Sequence, residues 1–151
     1  MARKSSELAQ VNAGMARKLL AAEPDPVPEG GYGLRVLETT GRRSGEARQT
    51  PLGVLLLGGT RYLVSPDANR DWVRNLVATP QCRVRAGGVD ENVCAQPVDG
   101  ADAVSVISAY LNAVRAPWAL AAFPVGPAAS AAEIAARLDS LAVFRLEPGA
   151  K

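Results

Sequence analysis

Apolar positions along this chain follow two periods, and the change from one to the other marks the elements. Leu34, Val36 and Leu37, then Leu52 to Leu57, form short dense apolar runs bounded by glycine and polar clusters, which predicts two strands. Gly58-Gly59-Thr60 is a tight-turn signal, so Arg61 to Ser65 becomes a third strand and the three form a meander. Cys82 to Ala86 and about Glu91 to Val98 are two further strands, and Leu141 to Leu146 is the last. Helical spacing appears in residues 5–22, where Leu8, Val11, Met15 and Leu19 make a narrow stripe suited to lying against the strands. Pro24, Pro26 and Pro28 end that helix and stiffen the connector after it. A second helix starts near Asn69, its expected cap, carries Asp71 in its first turn and stops before Pro80. Residues 100–115, with Val104, Ile107, Leu111 and Val114, give a third, and Ala131 to Leu138 a short fourth.

Three local readings follow. In the second helix Trp72, Val73, Leu76 and Val77 form the buried face, with Arg70 and Arg74 a turn apart on another side. A three-residue loop at Gly87-Gly88-Val89 would set Cys82 opposite Cys94, whereas a two-residue loop would break that pairing; two small reduced hydrophobes are the expected state of these thiols. Ala116 to Ala129 is uncharged, with Pro117, Pro124 and Pro127 around Trp118 and Phe123. It is too apolar for a plain linker, so it either plugs one end of the sheet or, the preferred reading, walls a substrate pocket.

Composition narrows the chemistry. The 151 residues suit one domain, read as an N-terminal helix and connector over 1–30 and a body over 31–151. No histidine occurs, which removes histidine bases, Ser-His-Asp machinery and the usual zinc sites. A chain this poor in reactive side chains needs an organic cofactor if it is an enzyme, although a pure binding module would show the same poverty. The net charge is only +2, and the arginine-rich segment has no interleaved aromatics, so nucleic acid is not the expected partner. No apolar run approaches a membrane span or a signal-peptide core, so the expected location is the cytoplasm. Arg3, Lys4, Arg17 and Lys18 would suit weak contact with a membrane surface, but the stripe beside them is small and lacks an aromatic anchor, which favours packing.

The polar constellation lies in TTGRRSGEARQTPL, Thr39 to Leu52. Arg42, Arg43 and Arg48 gather at one hairpin tip with Ser44. Gly41 and Gly45 can adopt positive φ and would turn backbone N–H groups toward one point, a concavity that suits an anion. A solvated basic hairpin fits the same residues.

The pattern TGRRSGxxRxTPL from Thr40, a strand ending in Ser65 and the helix segment WVRNL at Trp72 to Leu76 together resemble the deazaflavin (coenzyme F420)-dependent nitroreductase family. The resemblance implies an α+β fold, a six-stranded antiparallel split β-barrel of the FMN-binding kind with flanking helices. It implies hydride transfer from reduced F420 to an activated alkene, quinone or nitro compound, in a monomer or homodimer. By the same resemblance Arg42, Arg43, Ser44, Gly45 and Arg48 hold the cofactor's phosphate and acidic tail. The backbone of Thr50, Pro51, Leu52, Gly53, Leu63, Val64, Ser65 and Pro66 lines its ring, and Gln49 belongs to the same cofactor site. Asp71, Trp72, Val73, Arg74 and Asn75 belong to the helix that closes over it; Trp118 and Phe123, from the apolar segment above, are the residues expected at the substrate pocket. Related split barrels bind FMN or haem, and a non-catalytic cofactor carrier is a further alternative. Pro66-Asp67-Ala68 replaces a lysine and glycines of relatives, and Gly53 stands where nitroreductases carry a tyrosine. The first departure bears on the phosphate grip, because a proline loses an N–H and an aspartate repels an anionic tail; the second bears on a nitro substrate, and the cofactor class is less affected than the substrate.

Overall fold

A computed structural model describes residues 13–149 of the chain. Strands β1 (Tyr32–Thr40), β2 (Ala47–Leu57), β3 (Thr60–Ser65), β4 (Gln81–Ala86), β5 (Val89–Pro97) and β6 (Ala142–Pro148) pair antiparallel throughout. They close in the order β1-β2-β3-β6-β5-β4, so the α+β split barrel implied by the resemblance is the observed architecture. Alternation along each strand divides the apolar residues into two groups. Leu37, Val54, Leu63 and Phe144 fill the interior, while their neighbours Leu55, Val64 and Val143 belong to a second cluster outside it. Complete burial of a side chain such as Leu37 or Leu63 stabilises the fold by about 1.5 to 3 kcal/mol.

The helices use these two surfaces. Helix α1 covers 13–21, followed by α2 (Asp71–Ala78), α3 (Gly100–Ala113), α4 (Pro117–Ala121) and α5 (Ala131–Ala135). Trp72, Val73 and Leu76 of α2 join the interior cluster, with the Trp72 ring 6.1 Å from that of Phe144. Ile107 and Leu111 of α3 and Ile134 of α5 cover the outward cluster. A capping box between Ser130 and Glu133 starts α5. The described part of α1 lies against the β4–β5 turn, where the Gly87 N–H donates to the Leu19 carbonyl at 3.1 Å.

Several expectations are corrected. β2 begins at Ala47, so Arg48 to Pro51 belong to the strand and not to its approach. Pro51 is accommodated because β2 pairs with β3 only from Leu55 onward, which leaves one side of the earlier stretch without a ladder to lose. The β4–β5 loop has two residues, Gly87 and Gly88, both at positive φ, as tight hairpins demand. Cys82 therefore faces Val93, and Cys94 faces Gln81, so the thiols do not pair. Asn69 does not cap α2: the cap position is Arg70 and has no side-chain bond. Val77 is 69% exposed and Asn75 takes its expected place in the buried face, because the contact face is centred on Trp72, Asn75 and Leu76. In α1 the buried residue is Ala16 and Met15 is exposed; Leu8, Val11, Arg3 and Lys4 lie outside the described residues. Within 116–129 a short helix, α4, forms after Pro117. Among the described residues no helix is long and apolar enough to cross a membrane.

Candidate functional site

The tip of the β1–β2 hairpin is closed by its own backbone. The Gly41 N–H donates to the Glu46 carbonyl at 2.7 Å, the Gly45 N–H to the Gly41 carbonyl at 2.9 Å, and the Glu46 N–H to Ser44 Oγ at 3.1 Å. Gly45 has φ of 74° as the turn requires. Gly41 does not; a side chain there would place Cβ 2.8 Å from Ser44 Oγ, so close approach and not φ demands glycine. The Gly41, Gly45 and Glu46 N–H groups are thus spent on the turn itself, whereas the consecutive Arg43 and Ser44 N–H groups take no acceptor among the described residues.

Arg42 is fixed from below. Its backbone N–H and its Nη1 donate to Asn75 Oδ1 at 3.1 and 2.9 Å, and its Nη2 lies 3.1 Å from Asp71 Oδ1. Asn75 is buried, and its Nδ2 donates to the buried Thr39 Oγ1 at 3.2 Å. One amide therefore ties β1, the hairpin tip and α2 together with every polar atom partnered, which a buried amide requires. Arg43 and Arg48 are exposed, and the Arg48–Glu46 pair at 3.8 Å is too open to hold either partner firmly.

These residues border a cleft of about 570 Å³. Gly41, Arg42, Arg43, Ser44, Arg48, Gln49 and Thr50 form one wall, Asp71, Trp72 and Asn75 of α2 a second, and Ala13, Ala16 and Arg17 of α1 a third. Four guanidinium groups meet one carboxylate, Asp71, which is already paired with Arg42. The cleft is positive and sized for an anionic cofactor fragment. The α1 residues escaped sequence reasoning; a basic residue beside an apolar stripe signalled charge but not the cleft it faces.

Other residues named from the sequence lie elsewhere. Gly45 borders a second cleft of about 410 Å³, where Thr39 and Thr40 separate from Gln81 and Cys82 beyond the last β1–β4 pair at Glu38. Pro51, Leu52 and Gly53 continue β2, with Leu52 turned to the interior cluster. A Cβ on Gly53 would lie 2.8 Å from Tyr32 Cδ2 and 3.6 Å from the Tyr110 hydroxyl oxygen, so the Tyr32 ring uses the space a side chain would need. Leu63 points inward and Val64 outward. Ser65 is buried: its hydroxyl donates to the Asp67 carbonyl at 2.7 Å and accepts the Asp67 N–H at 3.2 Å, which fixes the chain through Pro66. The Asp67 carboxylate accepts the Asn69 N–H at 2.8 Å. Val73 is buried in the interior and Arg74 is exposed. Trp118 is 75% exposed on α4, while Phe123 is half-buried with its ring 5.7 Å from Tyr110; neither borders the arginine cleft. Burial, and next the neighbouring Tyr32, raise the Tyr110 pKa against a smaller opposing effect of Arg70, so its phenol stays protonated.

The closed six-stranded antiparallel barrel with flanking helices is a split-barrel fold. Residues 11–119 match the model of the F420H(2)-dependent quinone reductase family, and the chain belongs to that family of enzymes. Among solved structures, one described as a domain-swapped dimer is similar over 96% of this chain and 99% of its own, with 17% identity and a TM-score of 0.56. An F420-H2 dependent reductase, FDR-A, is similar over 82% of this chain and 99% of its own, with 22% identity and a TM-score of 0.50. A haem-binding protein from Mycobacterium smegmatis covers 75% of this chain and 45% of its own at 18% identity and a TM-score of 0.48. The first two share the fold. Comparison with curated proteins gave no match.

Proposed function

We propose that the cleft holds the phosphate and acidic tail of coenzyme F420 and that the enzyme reduces a quinone, with activated alkenes and nitro compounds as further acceptor classes. The observation that carries this reading is the meeting of Arg42, Arg43, Arg48 and Ser44 with α2 around one cleft of about 570 Å³. The donor set suits the group: guanidinium forks match phosphate and carboxylate oxygens, and the volume exceeds what a lone phosphate needs. When bound, the reduced deazaflavin supplies the hydride.

The chain's own residues position and shield. Asn75 holds Arg42 in one orientation, so part of the ordering cost is met before the ligand arrives. The backbone of Thr50 to Gly53 and of Leu63 to Pro66 would line the ring, and Asp71 to Asn75 would close over it. Tyr32 and Tyr110 beside Gly53, with Phe123 packed on Tyr110, would form the acceptor side and limit water there, with the exposed Trp118 on the same segment as Phe123. The free, unpaired thiols fit a cytoplasmic setting, which is part of the proposal. Anaerobic mixing of protein and reduced deazaflavin with a benzoquinone or naphthoquinone tests the activity. Oxidation that depends on protein and quinone supports it. Bound cofactor that no quinone, enone or nitroarene oxidises would contradict it and favour a carrier.

A further inference from the structure

The third wall of the cleft comes from α1, and its contribution is chemically distinct. Ala13 and Ala16 are small, and beside them the exposed Arg17 also borders the cleft and makes no ion pair among the described residues. Ala16 is 2% exposed, so this turn of α1 is seated on the protein and not projected into solvent. The seat is specific at the other end of the helix. The Gly87 N–H holds the Leu19 carbonyl, Gly87 has φ of 54°, and a Cβ there would lie 2.5 Å from the Ala22 carbonyl oxygen. Only glycine lets the β4–β5 turn approach the end of α1 this closely.

We infer that Arg17 is a fourth guanidinium of the anion site, reaching from α1 to the part of the ligand beyond its phosphate, and that a ligand bound across the cleft clamps α1 to the barrel. This rests on the cofactor reading above. The argument is one of acceptors: each forked contact uses two oxygens, and Arg42 already spends donors on Asn75 and Asp71. Arg43 and Arg48 suffice for one phosphate. A guanidinium on the opposite wall therefore has a partner only if the anion is extended, as a phosphate followed by carboxylates is. Lys18, the next residue of α1, does not border the cleft and serves as an internal control.

The test compares the parent with Arg17→Ala, Lys18→Ala and Gly87→Ala, titrated with full-tailed deazaflavin, the phosphate-free deazaflavin riboside, and FMN. Protection of α1 amides from hydrogen exchange is followed in parallel. The expected result is a loss of about tenfold in affinity for the full-tailed cofactor in Arg17→Ala, with little change for the riboside and none in Lys18→Ala. Full-tailed cofactor should raise α1 protection in the parent and fail to do so in Arg17→Ala, and Gly87→Ala should show both losses if folded. Equal affinity of parent and Arg17→Ala for the full-tailed cofactor would overturn the inference. So would loss of binding to anionic vesicles with cofactor affinity intact, which would assign Arg17 to a membrane surface. Parent protein that ignores deazaflavin but loses FMN affinity in Arg17→Ala would overturn both the F420 reading and the extended anion, since FMN carries a phosphate alone.

Discussion

Asn75 Oδ1 accepts two hydrogen bonds from Arg42, one from its backbone N–H at 3.1 Å and one from its guanidinium at 2.9 Å, while the same amide's nitrogen donates to Thr39. A helix side chain thereby sets the orientation of a hairpin arginine. Asn75→Ala should leave Thr39 and the Arg42 N–H short of partners in a buried place, with a cost to folding of about 1 to 3 kcal/mol. It should also weaken binding of deazaflavin. Denaturant unfolding and a titration of the same variant check both; unchanged stability would show that the amide is not the tie described.

Arg48 contributes little to the fold, since it is exposed and its partner Glu46 is 3.8 Å away. Arg48→Ala should leave the unfolding midpoint nearly unchanged and weaken cofactor binding by about 1.5 to 3 kcal/mol, roughly ten- to 150-fold. Affinity equal to that of the parent would remove Arg48 from the anion site.

Much of this arrangement was legible in the sequence because it is local. The apolar runs and their glycine boundaries gave the order of strands, and the arginine hairpin followed from residues adjacent in the chain. What escaped depends on register or on distant contacts. The thiol pairing turned on one loop residue, decided by the left-handed φ of both Gly87 and Gly88, which a sequence of glycines leaves open. The expected cap Asn69 lies one residue before the cap position, Arg70, in a turn where its N–H donates to the Asp67 carboxylate. Arg17 entered the site through the seating of α1 against Gly87, a contact between residues far apart in sequence.

The two cysteines differ in chemistry. Burial, with a smaller effect of Cys94, pushes the Cys82 thiol up to about 12, so it stays protonated and unreactive at neutral pH. Cys94 is half-buried and accepts from Gln96 Nε2 at 3.3 Å. Alkylation of native protein should modify Cys94 alone, and Cys82 should react only in denaturant. Cys94→Ala should keep full cofactor affinity. Rapid modification of Cys82 in the native state would contradict its burial.

Glu38 lies between Arg83 and Arg85 on the barrel wall, accepting from Arg83 Nε at 2.7 Å and Arg85 Nη1 at 3.0 Å. Burial pushes its carboxyl up, but the hydrogen bonds from Arg83 and Gln49 and the two positive charges outweigh that and hold its pKa below the ordinary value. A lowered pKa means that this stabilisation is present above the unfolded-state value, near about 4.3, and is lost as pH falls through the folded one. Glu38→Gln should therefore be less stable than the parent at neutral pH, with the difference shrinking in acid. Glu29 and Glu133, also lowered, are present in both proteins and cancel in the comparison. A difference that does not change with pH would show that ion pairing at Glu38 is not its source.

Equilibrium titration of the purified protein with F420 and, separately, with FMN, followed by the quenching of each cofactor's fluorescence, tests the central claim most directly. Saturable binding of F420, weakened by salt and by loss of Arg48, with FMN bound much less tightly, is the predicted result. Tight binding of FMN with no detectable binding of F420 would contradict it.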